Sequence, residues 1–177
     1  MRECFLLLLL IPLLAGCNTP GFMQSPEPTL TGLPNNTQCA WNWATQALPE
    51  LGARLEADMQ AAGLNEMTVR AEAYGENCIN AAGTVDSFAA METDFRITMQ
   101  VNSFSDTSEI GRLLERILAV LDGYPTGSTP GTNPGYVGVS FQKGGEALNL
   151  WFTVTAGKSA RALGYRGAAL FEELQKK

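Results

Sequence analysis

The sequence predicts a single α+β domain of order αββαββα, in which a four-stranded, mainly antiparallel sheet is packed with helices. Three observations carry this. Two stretches place apolar residues at three- and four-residue spacing, four stretches alternate apolar and polar residues, and one further helical stretch ends the chain. Taken in order they read helix, strand, strand, twice over, then helix. The two αββ halves share no matching residues beyond that order, so identity lends no support to an internal duplication.

The first helix is expected over Ala47 to Ala62, where Leu48, Leu51, Leu55, Met59 and Ala62 form one stripe. Pro49 suits a first turn and Gly63 a helix end. Met67, Val69, Ala71 and Ala73 alternate with Thr68, Arg70, Glu72 and Tyr74 as in a half-buried strand, and Phe95, Ile97, Met99 and Val101 repeat the pattern. Between these strands a loop is expected to carry Cys78. Asp106 is placed to cap the next helix, whose Ile110, Leu113, Leu114, Ile117, Leu118 and Leu121 make a continuous apolar stripe before Gly123 and Pro125. Strands over about Tyr136 to Gln142 and Glu146 to Thr155 follow, joined by Gly144 and Gly145 in a hairpin turn. A last helix should start at a Ser159 cap and run to Leu174, with Leu163, Gly167, Leu170, Phe171 and Leu174 on its inner side.

Ahead of this domain, Phe5 to Leu14 read FLLLLLIPLL, an apolar run about half the length of the roughly twenty residues a membrane-crossing helix needs. Leu14, Ala15, Gly16 and Cys17 follow directly, and small residues let an extended backbone enter a peptidase cleft. Leu-Ala-Gly-Cys resembles the lipobox of bacterial lipoproteins. The resemblance covers residues 1–17 only, and it departs from pattern in a leader whose one basic side chain, Arg2, stands beside Glu3. It implies that the Cys17 thiol accepts diacylglycerol, that signal peptidase II cuts before it, and that the new amine is acylated. The other reading of the leader is an ordinary secretory signal. With two or more acyl chains the protein would stay on a membrane surface. Residues 1–16 are then a signal peptide, 17–38 a lipidated N-terminus and flexible tether rich in Pro, Thr and Asn, and 39–177 the single globular domain.

Cutting before Cys17 lowers the basic side chains from 12 to 11 and the acidic from 18 to 17, so the net charge stays at −6. That balance opposes nucleic-acid binding, which needs clustered Lys and Arg to neutralise phosphates. Cys4 leaves with the leader and Cys17 carries lipid. Cys39 and Cys78 remain, and in an oxidising compartment they are expected to form a disulfide.

Histidine is absent, which removes the usual base of Ser-His-Asp and Cys-His catalysis and histidine-ligated zinc. Ser140 with Lys143, and Lys158 with Ser159, are the nearest serine-lysine pairs, and a hairpin lysine and a helix-capping serine account for them better. Glu92, Asp94 and Asp86 form the tightest acidic group; without an Asp-x-Asp-x-Asp-Gly loop a solvated strand start is preferred to a calcium site. The run GYPTGSTPGTNPG from Gly123 to Gly135 lacks the lysine of a phosphate loop and reads as a mobile loop. No cofactor or metal is expected.

The remaining signal is aromatic. Strand alternation sets Trp151 opposite Leu148, Leu150 and Phe152, on the sheet face shared with Tyr74, Arg70, Arg96 and Gln100. Two readings stand: a helix or the tether covers Trp151 in a second small core, the plainer expectation, or the face is open and serves recognition. Trp41 and Trp43 face the same choice, with packing beneath the disulfide preferred. The function expected is non-enzymatic: a membrane-tethered module that binds a partner protein, peptide or cell-wall component in the bacterial envelope. The rivals are a carrier of small apolar ligands with a cavity between helices and sheet, and a histidine-free hydrolase. The sequence leaves the ligand, the receiving membrane and the oligomeric state open.

Overall fold

The computed structural model describes residues 39–125 and 127–176. The expected signal peptide, the lipidation at Cys17 and the tether fall outside those residues. Within them the elements are β1 (Ala40–Ala47), α1 (Pro49–Ala61), β2 (Met67–Ile79), β3 (Val85–Gln100), α2 (Thr107–Leu121), β4 (Asn133–Lys143), β5 (Glu146–Thr153), α3 (Val154–Ala162) and α4 (Gly167–Gln175).

The class is α+β, with a mixed sheet of five strands in the order β1-β2-β3-β4-β5. Two features depart from the expected four-stranded, mainly antiparallel sheet. The central pair β3 and β4 is parallel, while the other neighbours are antiparallel. A parallel pair needs a long crossover, and α2 supplies it between the end of β3 and the start of β4. The added strand is β1, AWNWATQA, which pairs along its whole length with β2 from Ala40 opposite Ile79 to Ala47 opposite Glu72. Backbone pairing and a disulfide hold it, not burial, because most of its side chains are exposed.

That disulfide joins Cys39 to Cys78 with Cα atoms 4.9 Å apart. Cys78 lies inside β2 and not in a loop, so the bridge ties β2 to the residue preceding β1. The true turn is residues 80–84, where the Asn80 carboxamide oxygen accepts from the Ala82 and Thr84 amides at 3.0 and 3.1 Å. Such a side chain mimics a backbone turn.

One core fills the space between one sheet face and the four described helices. Val69, Ala71, Phe95, Ile97, Val139, Phe141 and Phe152 meet Leu55 and Met59 of α1, Ile110, Leu114, Ile117 and Leu118 of α2, Ala160 of α3, and Leu170, Phe171 and Leu174 of α4. Each fully buried Leu or Ile contributes about 1.5–3 kcal/mol by leaving water. Asp106 caps α2 as the sequence predicts, its carboxylate accepting from the Glu109 amide at 2.9 Å. Gly144 takes a positive φ of 60° in the β4–β5 hairpin, with Lys143 opposite Glu146.

The expected last helix is two helices. The Thr153 hydroxyl, not Ser159, caps the first by accepting from the Ala156 amide at 3.0 Å, and Ser159 sits inside α3. The chain then breaks at Gly164, whose φ is 87°, so Leu163 is turned outward and is 77% exposed. Around residues 123–135, the described part of the supposed mobile loop is fastened to β3. The Thr132 amide donates to the Met91 carbonyl at 2.9 Å, the Thr93 hydroxyl to the Pro130 carbonyl at 2.7 Å, and β4 already begins at Asn133.

Candidate functional site: the open sheet face

With the helices on one side, alternation sends the other set of side chains to the opposite face, and no described helix packs there. Trp41, Trp43 and Thr45 of β1 lie in that layer with Arg70, Glu72 and Tyr74 of β2. Asp94, Arg96, Thr98 and Gln100 of β3 continue it, and Tyr136, Gly138, Ser140 and Gln142 of β4 lead to Asn149 and Trp151 of β5. Tyr74, Arg70, Arg96, Gln100 and Trp151 therefore share one surface.

Trp151 is 43% exposed. No described helix covers it; the tether, the other cover expected for this ring, falls outside the described residues. Its ring lies across Gly138, its register partner on β4, where a Cβ would overlap the indole. Tyr136 stacks against the indole with centroids 5.7 Å apart and planes 11° from parallel, and the Arg96 guanidinium carbon stands 5.0 Å from the ring centroid. A cation held near an indole is attracted by the ring quadrupole. Arg96 is in turn fixed by Glu72, whose carboxylate accepts from Nε at 3.1 Å. Glu72, Arg96, Trp151 and Tyr136 form one connected row drawn from four adjacent strands. Along it lies an open depression of about 310 Å³ beside Arg96, Thr98, Ser140, Asn149 and Trp151.

A second aromatic pair lies toward the β1 edge, where Trp43 stacks on Tyr74 at 5.4 Å with planes 9° apart. Trp41 and Trp43 are 51% and 60% exposed, so packing beneath the disulfide is overturned. Their partners are the pleat and, for Trp43, the Tyr74 ring. Arg70 is exposed and stands opposite Arg96 in register, while Gln100 Nε2 donates to Gln142 Oε1 at 3.2 Å. The face thus mixes both signs of charge, amides, hydroxyls and four stacked rings. Tyr136 and Glu72 complete the site although the sequence did not single them out for it, and Trp43, expected to pack beneath the disulfide, joins them. Two-residue alternation places all three on this face, but only the strand order reveals which rings meet.

Elsewhere the residues weighed for chemistry are engaged in structure. Asp86 accepts from the Asn80 amide nitrogen at 2.6 Å and Asp94 from the Tyr136 backbone amide at 2.8 Å. Burial, and then repulsion from Asp94, hold the Glu92 carboxyl above the usual carboxylate range. Among the described residues no three His, Cys, Asp or Glu side chains gather into a metal-ligating group, and no helix is long and apolar enough to cross a membrane. Ser140 lies on the open face of β4 and Lys143 at its hairpin end; neither this pair nor Lys158 and Ser159 is joined by a hydrogen bond. Between the helices and the sheet, Leu55, Leu114, Ile117, Phe141 and Phe152 fill the middle of the core, each no more than 1% exposed.

No family model matches the chain, and neither a curated protein nor a solved structure is significantly similar to it.

Proposed function

We propose that this chain is a bacterial envelope lipoprotein, anchored through acyl groups on Cys17. Its open sheet face binds a partner protein, peptide or cell-wall component without catalysis. The observation that carries the reading is the exposed Trp151, seated over Gly138 between Tyr136 and Arg96 on a face no described helix covers. Rigid aromatic rings beside Arg, Gln and Asn are the composition of recognition surfaces, because they give contact area at little entropy cost while polar neighbours set orientation. The leader that resembles a lipobox supports the address, and the absence of histidine fits a role without acid-base catalysis.

The address is tested by expressing the full chain in bacteria fed an alkyne-bearing palmitate. Label should enter the wild type, be absent from Cys17→Ser, and appear with the membrane fraction; unlabelled wild type in the cytosol would remove the basis of the proposal. For binding, the wild type and Trp151→Ala are each cross-linked in the intact envelope and recovered in detergent. A component enriched with the wild type and lost with Trp151→Ala is expected. Identical recoveries with the two proteins would show that the Trp151 face is not the contact surface.

A further inference from the structure

We infer that the outer edge of β1 is a self-pairing surface, on which a second copy of this chain adds its own β1 antiparallel and joins the two sheets.

An edge strand offers a row of unpaired amides and carbonyls, and folded proteins ordinarily blunt it with Lys, Pro, a bulge or a covering element. β1 has no Lys, Pro or bulge, and no described element covers it. AWNWATQA contains no charged residue, proline or glycine, and its register with β2 runs unbroken for eight residues. Among the described residues, no backbone hydrogen bond beyond its pairing with β2 engages β1. The contrast lies on the same side of the sheet, where β2 extends past the end of β1. There the Leu48 amide donates to the Ala71 carbonyl at 2.8 Å, Glu56 takes the Val69 amide at 2.8 Å, and α1 approaches so closely that a Cβ on Gly52 would stand 3.3 Å from the Ala71 nitrogen. Among the described residues, the edge is covered at Met67–Ala71 and open along β1. The other terminal strand, β5, begins at Glu146 and runs directly into α3.

A second copy fits this edge for two reasons. The chain carries a net charge of −6, and β1 is a neutral strip on which two like-charged copies meet without setting acidic side chains of that strand against each other. Antiparallel pairing about a two-fold axis perpendicular to the sheet is isologous, and residues directly opposite must share a face. A register centred on Asn42 sets Trp41 beside the second copy's Trp43, and one centred on Trp43 sets the two Trp43 rings together. Cross-strand aromatic pairs of this kind stabilise strand pairing. Both registers keep the helices of the two copies on one side and make the aromatic faces continuous.

The test uses the full chain purified in detergent, with protein mass measured by sedimentation over a wide concentration range. Asn42 is exposed and alternation points it away from the Trp43 face, so a charge there alters the edge and leaves the aromatic surface intact. The wild type should double in mass at micromolar concentration. Asn42→Lys and Asn42→Glu should each weaken dimerisation at least about tenfold, since like charges oppose pairing, and an equimolar mixture should regain the dimer as a heterodimer. That rescue excludes misfolding as the cause. Trp151→Ala should dimerise like the wild type, which separates this surface from the one in the proposed function. A wild type that stays monomeric throughout, charged variants that dimerise as well as the wild type, or a mixture that stays monomeric would each overturn the inference.

Discussion

The indole of Trp151 occupies the space that a side chain on Gly138 would fill: a Cβ built there overlaps its Cζ3 and Cε3 atoms. Because Gly138 is the register partner of Trp151, one hydrogen atom on β4 lets a large ring lie across the sheet and reach both Tyr136 and Arg96. The platform depends on that vacancy as much as on the tryptophan.

Gly138→Ala should therefore lift the indole from the sheet or strain β4. Overpacking of this kind costs about 1–3 kcal/mol, and the near-ultraviolet circular dichroism of the stacked Trp151 and Tyr136 rings should fall while the far-ultraviolet spectrum holds. A variant with wild-type near-ultraviolet signal and unchanged urea midpoint would show that the ring does not rest on Gly138.

How much of this was legible depended on whether a residue's role is local. Asp106, the stripe from Ile110 to Leu121 and the Gly144–Gly145 turn act within one element, and periodicity and capping exposed them. β1 escaped because its tryptophans are exposed, so the usual link between apolar residues and burial pointed to the wrong place. The first half of β3 escaped because register shifts and an exposed face blur the alternation of VDSFAAM. The split of the last helix was marked only by Gly164, since the apolar spacing from Leu163 to Gly167 continues across the break. On the candidate face, alternation put Trp151, Tyr74, Arg70, Arg96 and Gln100 together. Strand order, which depends on long-range pairing and on the α2 crossover, decided that Arg96 lies beside Trp151 and Trp43 beside Tyr74.

The disulfide should matter more than the exposed strand it holds suggests. It closes a loop spanning 39 residues and holds the entry of an edge strand that buries little. On the chain-entropy model, replacing both Cys39 and Cys78 by Ser should cost about 4 kcal/mol. Hydrogen exchange should quicken first in β1 and in the facing half of β2. Uniform acceleration across the sheet would show that β1 is held by its pairing alone.

Glu56 guards the one stretch of β2 that β1 leaves uncovered. Its carboxylate accepts from the Val69 amide at 2.8 Å, in the manner of a short surrogate strand. Glu56→Ala should lose about 1.5 kcal/mol, within the range for hydrogen bonds to charged acceptors, and Glu56→Gln should lose less because an amide oxygen can take the same position. Equal losses for the two variants in chemical denaturation would mean that the side chain acts by packing on α1 and not by capping the edge.

Glu92 gives a pH dependence of definite sign. Burial raises its carboxyl above the usual carboxylate range and Asp94 adds to the shift, so the folded chain holds this proton more firmly than the unfolded chain does. Its contribution is then favourable while the carboxyl is protonated and is lost as pH rises through the folded value, since stability falls with pH wherever the native state binds more protons. Glu92→Gln fixes the neutral form. The variant should match the wild type near about pH 3, where both side chains are uncharged, and melt at a higher temperature near about pH 7, where only the wild type carries the penalty. Melting curves at the two pH values decide the matter: a constant difference between the proteins, or one that reverses, would mean that ionised Glu92 is accommodated without cost at the start of the β3–β4 pairing.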